Sequence, residues 1–207
     1  DSLGANTTGG QNIAVGHQAL NNNTTAGGNV AVGHAAMSAN TTGAQNVAVG
    51  YQALDANTTA SSNTAVGYGS LSSTTTGDIN VAVGHSALAN NTANNNTACG
   101  GFALATNTSG TRNTGVGRGA LALNTTANDN TAFGYFALVN NTTGQQNVAV
   151  GSAALDTNST GSFNVAVGYA ALDANTTAST CTGIGYGALA ANTTASNNTA
   201  VGSSSMV

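Results

Sequence analysis

The sequence predicts an all-β protein, a parallel β-solenoid (β-roll) with about 17 residues per coil and roughly twelve coils. Three observations carry this prediction. A repeat such as "NVAVGYQALDANTTASS" (46–62) recurs in phase from end to end, glycine and large apolar residues hold fixed places within it, and each copy carries a run of Asn and Thr that disfavours helix. The chain therefore reads as a single array over 1–207, with a partial first coil 1–11, full coils 12–197 and a partial last coil 198–207.

The phase is set by a glycine column at 16, 33, 50, 67, 84, 100, 117, 134, 151, 168, 185 and 202. The step is constant except between 84 and 100, where it is one shorter, because "LANNTANN" (88–95) lacks the second Thr of "LDANTTASS" (54–62). A local deletion that leaves both flanks in register implies that each repeat is one physical layer. Stacked at the strand spacing of about 4.8 Å, twelve layers make a rod on the order of 55 Å long.

Each coil opens with a short strand, "NVAV". Its Val column (Val15, Val32, Val49 and onward, with Cys99, Phe133 and Ile184 as variants) is large and apolar, and so is the column of Leu20, Met37 and Leu54. Val15 and Leu20 lie five apart and fall on opposite faces of a straight strand. Both point inward only if the chain turns at Gly16, which suggests a Gly corner between "NVAV" and a second short strand, "YQAL". A turn, "DANTTASS", closes the coil.

The polar columns fit stacking. Asn12, Asn29, Asn46 and their successors form one, interrupted by Cys181, and Asn6, Asn23 and Asn40 begin another, interrupted by Thr74. Amides at equivalent corners can hydrogen-bond from layer to layer as an Asn ladder, extended by the column of Thr7, Thr24 and Thr41. The triplet "NTT" is also an N-glycosylation sequon in a host with that machinery.

Two columns admit almost nothing larger than Ala: that of Ala14 has ten Ala and two Gly, and that of Ala19 ten Ala and two Ser. If Val and Leu point inward, these columns point out. A face open to water has no reason to exclude large side chains, so a homo-oligomer contact is expected there; the alternative is that they fill tight corners of a monomeric coil.

Composition removes several classes of function. Only 4% of residues are charged, with net charge −4 and no Lys, Glu, Pro or Trp. Two arginines leave no basic patch for nucleic acid or for docking on anionic membranes. No run approaches the roughly 20 apolar residues of a membrane-spanning helix, so membrane insertion is not expected. A chain beginning at Asp1 rather than Met reads as a processed product or a fragment.

No catalytic constellation emerges. Asp55, Asp156 and Asp173 share the position after Leu and pair with no Glu. His17, His34 and His85 share the column after the corner glycine with Tyr51, Tyr68, Tyr135, Tyr169 and Tyr186. Two imidazoles in adjacent layers could approach a metal, but no carboxylate or thiol joins them, and a stacked surface ladder is the preferred reading. Neither a metal, a cofactor nor catalysis is expected. With Phe102 and Phe136 one position on, this stripe is the candidate contact surface for a cell-surface glycan or protein receptor. Cys99 and Cys181, five layers apart, cannot form an intrachain disulfide, and Cys99 reads as a buried apolar residue.

The unit "NTAVGYQAL..NTTG..N" resembles the repeats of bacteriophage tail-fibre proteins. "NVAVG" also resembles the core of the head repeats in trimeric autotransporter (YadA-like) adhesins. The resemblance covers residues 3–206 and implies a trimeric extracellular fibre, a virion fibre or cell-surface filament that mediates attachment. The coil here departs from that of the YadA-like heads in being longer. An ice-binding β-solenoid is the alternative, since Thr ranks and low charge are shared with that class. Adjacent threonines, however, point to opposite sides of a chain.

Overall fold

The computed structural model describes residues 1–206. Twelve three-residue strands, from β1 (Ile13–Val15) through β6 (Thr97–Cys99) to β12 (Thr199–Val201), form one parallel sheet in strict chain order. Each strand pairs with its equivalent in the next repeat, as in Ala14 with Ala31 and Ala31 with Ala48. The molecule is a β-solenoid of about eleven turns, one sequence repeat to each turn, with no helix among the described residues. The one short repeat does not disturb the ladder, since Val83 pairs with Cys99 in register.

Only one strand forms per coil, where two were expected. The segment after the corner, such as residues 17–20, is a tight curl instead. Gln18 and Leu20 have φ of 59° and 50°, and Met37, Leu54 and Leu121 repeat the conformation at 50°, 53° and 54°. Left-handed residues break the alternation that parity reasoning assumes. The curl still pairs between layers, with the Leu20 amide donating to the Ala36 carbonyl at 3.0 Å.

This geometry reverses three of the expected columns. Leu20, Leu54 and Leu121 are fully buried, as foreseen, but so are Ala31, Ala48 and Ala65 on the strands and Ala36, Ala53 and Ala120 on the curls. The Val column faces outward, with Val15, Val83 and Phe133 exposed and the remainder half-buried or exposed. The interior is thus a Leu column packed between two Ala columns. The small residues exclude bulk because the coil is narrow, not because a second chain presses on them. Cys99, on the outward column, is exposed rather than buried.

The corner glycines are obligatory. Gly100 has φ of 138°, and a Cβ there would lie 2.6 Å from the carbonyl carbon and oxygen of Gly117. Successive corners are therefore in backbone contact along the rod.

The buried polar ladders form as the sequence predicts. Asn113 Oδ1 accepts from the Asn130 amide at 3.0 Å, and Asn130 Oδ1 accepts from the Asn147 amide at 3.0 Å. In the second column Asn57 Nδ2 donates to Asn40 Oδ1 at 2.7 Å, and Asn40 Nδ2 to Asn23 Oδ1 at 2.9 Å. Thr24 Oγ1 donates to the Thr41 carbonyl at 3.2 Å, and Thr74, standing in the Asn column, donates to the Asn91 carbonyl at 2.7 Å. Satisfying buried amides from rung to rung is what permits an interior this polar.

Candidate functional site

The aromatic stripe is brought together by the corner. Gly16 ends β1 and turns the chain, so residue 17 projects from the surface beside the outward Val15. In each later coil the equivalent residue lands one rung further on. His17, His34, Tyr51, Tyr68 and His85 stack in unbroken order with centroid separations of 5.1–5.2 Å. Their planes differ by 24° or less. Gly101 leaves the next place vacant, and Phe102, one residue on, fills it at 4.9 Å from His85 with a 56° tilt.

Beyond this row the stripe changes character. Arg118 holds the column; its guanidinium lies 5.8 Å from the Tyr135 ring centroid and 5.4 Å from that of Phe136. Arg118 Nη1 donates to Tyr135 Oη at 3.3 Å. Phe136 fits because Gly119 has no side chain: a Cβ at Gly119 would overlap the Phe136 ring. Ser152 then interrupts the row, and Tyr169 and Tyr186 stack at 5.5 Å. All ten residues singled out thus lie on one stripe, in three groups rather than one.

The stacking bears on what the stripe can recognise. Rings stacked face to face along the rod cover one another's faces, leaving edges, Tyr hydroxyls and imidazole nitrogens to solvent. Only the tilted Phe102 and the Tyr135–Phe136 pair, inclined at 45°, depart from this.

The surface that sequence reasoning missed is the sheet face itself. The residues flanking the inward Ala of each strand, such as Val81 and Val83, point outward along all twelve rungs, and neither column holds a charge. Together with the aromatic stripe beyond the corner they make one continuous band along the rod, rich in Val, Thr and aromatic side chains, with Arg118 as a charge on the stripe.

Arg112, Asp129, Asp55, Asp156 and Asp173 lie in other columns. Arg112 Nη2 donates to Asp129 Oδ2 at 2.9 Å, and this pairing holds the exposed Asp129 carboxyl below its usual range. Burial pushes the Asp55 carboxyl up, and its Oδ1 is buried without a partner. Burial raises Asp156 and Asp173 likewise, with a further contribution at Asp156 from its neighbour Asp173 one rung away. Among the described residues no three His, Cys or acidic side chains gather as a metal site, and both cysteines are free.

The paired threonines divide their roles. Thr24, Thr41 and Thr58 donate to the next rung's carbonyl, whereas their neighbours Thr25, Thr42 and Thr59 are exposed. Comparison of the chain with protein-family models, with curated proteins and with solved structures finds no match.

Proposed function

We propose that this chain is a structural segment of a rigid extracellular fibre that mediates attachment, in the manner of a phage tail fibre or a bacterial surface adhesin, and that it works as a homo-oligomer rather than as a catalyst. The observation that carries this reading is the outward band along the rod, which holds no charge on its two strand columns and a single arginine, Arg118, on the aromatic stripe. Twelve rungs at about 4.8 Å, by a width of about 15 Å from the first strand residue to the aromatic stripe, come to about 800 Å² per chain. That matches one side of a standard protein–protein interface. A second rod of the same chain has the same rung spacing and no charge on its strand columns to bury, so copies meeting through this face stay in register. Three copies is the number the resemblance to trimeric adhesins and tail fibres implies. The outer edge of the aromatic stripe, at the rim of the band, is the surface offered to a glycan or protein receptor.

The test is molar mass in solution, for the natural chain and for Val49→Asp with Val116→Asp. The natural chain is expected at three times its own mass. The double variant is expected as a folded monomer, since both positions lie outside the coil. A natural chain that is monomeric at micromolar concentration would overturn the reading. An ice-binding role would use the single rank of Thr25, Thr42 and Thr59, and thermal hysteresis of the purified protein distinguishes it, because a fibre segment shows none.

A further inference from the structure

Ten asparagines head the sequence pattern Asn-Thr/Ser-Thr/Ser, and eight of them, from Asn23 to Asn175, are fully buried. Their Nδ2 atoms, the atoms an N-linked glycan would occupy, are the donors that tie one rung to the next. Asn40 Nδ2 donates to Asn23 Oδ1 at 2.9 Å and to the Gly43 carbonyl at 3.0 Å. Asn124 Nδ2 donates to Asn107 Oδ1 at 2.8 Å and to the Ala127 carbonyl at 3.2 Å. Both amide hydrogens are committed. A sugar on Nδ2 removes one of them and needs a route to solvent through a coil that encloses the residue completely.

A second set of acceptor patterns, Asn-Asn-Thr, is offset by one residue. Asn22, Asn90, Asn95 and Asn197 head four of these and are exposed. Asn140 heads a fifth, but its Nδ2 donates to the Asp156 carbonyl at 2.9 Å.

We infer that N-glycosylation and the folded coil exclude each other at the eight buried asparagines, whereas Asn22, Asn90, Asn95 and Asn197 are the positions where the finished solenoid can carry an N-linked glycan. Transfer joins the sugar C1 to Nδ2 and breaks the C1–oxygen bond to a lipid pyrophosphate donor, with the amide proton passing to the transferase. It acts on nascent chain, so in a glycosylating secretory pathway it competes with stacking at every coil. A chain modified at Asn40 or Asn124 cannot close that rung. Modification of the exposed set leaves all the ladder bonds intact.

The full chain, secreted from a host that N-glycosylates, is separated into protease-resistant and protease-sensitive fractions, and each is mapped by glycopeptide mass spectrometry. A variant that cannot stack, Gly50→Val with Gly100→Val and Gly151→Val, is mapped in the same host. The resistant fraction is expected to carry sugar at one or more of Asn22, Asn90, Asn95 and Asn197 and at none of the eight buried positions. The sensitive fraction and the unstacked variant are expected to carry it at the buried set. Sugar on Asn40 or Asn124 in protease-resistant protein overturns the exclusion. An unstacked variant left bare at the eight positions overturns it too, because the coil is then not what shields them. A resistant fraction with no sugar at the four exposed positions overturns their assignment as acceptors.

Discussion

Replacing Asn130 with Ala tests the polar ladder where it is best defined. Asn130 is fully buried near the middle of the rod. Its Nδ2 donates to the Gly144 carbonyl at 2.9 Å and its Oδ1 accepts from the Asn147 amide at 3.0 Å. The Gly144 carbonyl keeps a second donor, Asn141 Nδ2 at 2.9 Å, so it is not orphaned. The Asn147 N–H loses its acceptor. A buried unsatisfied donor costs about 1–3 kcal/mol, and each lost hydrogen bond about 1 kcal/mol. The sum is about 3 kcal/mol, or roughly 6–12 °C in Tm for a chain of this length. Because coils contact only their neighbours, hydrogen exchange should rise most at Asn147 and the rungs beside it. A thermal melt by circular dichroism, with exchange read by mass spectrometry, checks both. A Tm indistinguishable from that of the natural chain, or exchange that rises evenly along the rod, would refute the assignment of stability to this ladder.

Other perturbations separate inside from outside. Leu121→Ala should cost about 2–5 kcal/mol, as for any fully buried Leu, whereas Val116→Ala on the outward column should leave the melt of an isolated chain nearly unchanged. Gly100→Ala should prevent stacking at β6, giving insoluble protein or a melt in two stages, because its Cβ meets the Gly117 backbone at positive φ. Cys181→Asn should raise Tm by a few degrees, since it restores an Oδ1 acceptor for the Asn198 amide where the Asn column is interrupted. On pH, burial raises Asp55, Asp156 and Asp173, so each binds its proton more readily folded than unfolded. Their contribution to stability is therefore greatest below the ordinary aspartate range and falls as pH climbs through their raised values. Asp129 acts oppositely but is exposed. Tm at pH 4 should equal or exceed that at pH 7, and a fall of several degrees on acidification would contradict these assignments.

What was legible in the sequence follows from which features translate directly into geometry. The phase of the glycine column and the uniform Asn columns imply stacked equivalent layers, and the ladder at Asn113, Asn130 and Asn147 is built as read. The aromatic stripe was legible for the same reason, down to the stacking of His17 on His34. Parity failed after Gly16, because Gln18 and Leu20 adopt left-handed φ without being glycine. A hint was present at the first of these columns, where Gly69, Gly119 and Gly187 alternate with Gln, Ala, Ser and Phe; the Leu column gave none. The outward direction of Val15 was also recoverable. The column two residues earlier, which begins at Ile13 and shares its face, holds Thr at six of twelve rungs, including Thr64, Thr97 and Thr114. A hydroxyl fits poorly in a dry core but well on a half-exposed sheet face.

The central claim is that each sequence repeat is one rung, closed on Leu and Ala, with its Val column turned outward. A density map of the purified particle at side-chain resolution tests it most directly. Rungs about 4.8 Å apart, Leu54 and Ala48 enclosed within a single coil, and Val49 outside it, either against another chain or in solvent, are the expected result. Coils that enclose Val49 and turn Ala48 outward, or repeats that fold as helices, would contradict it.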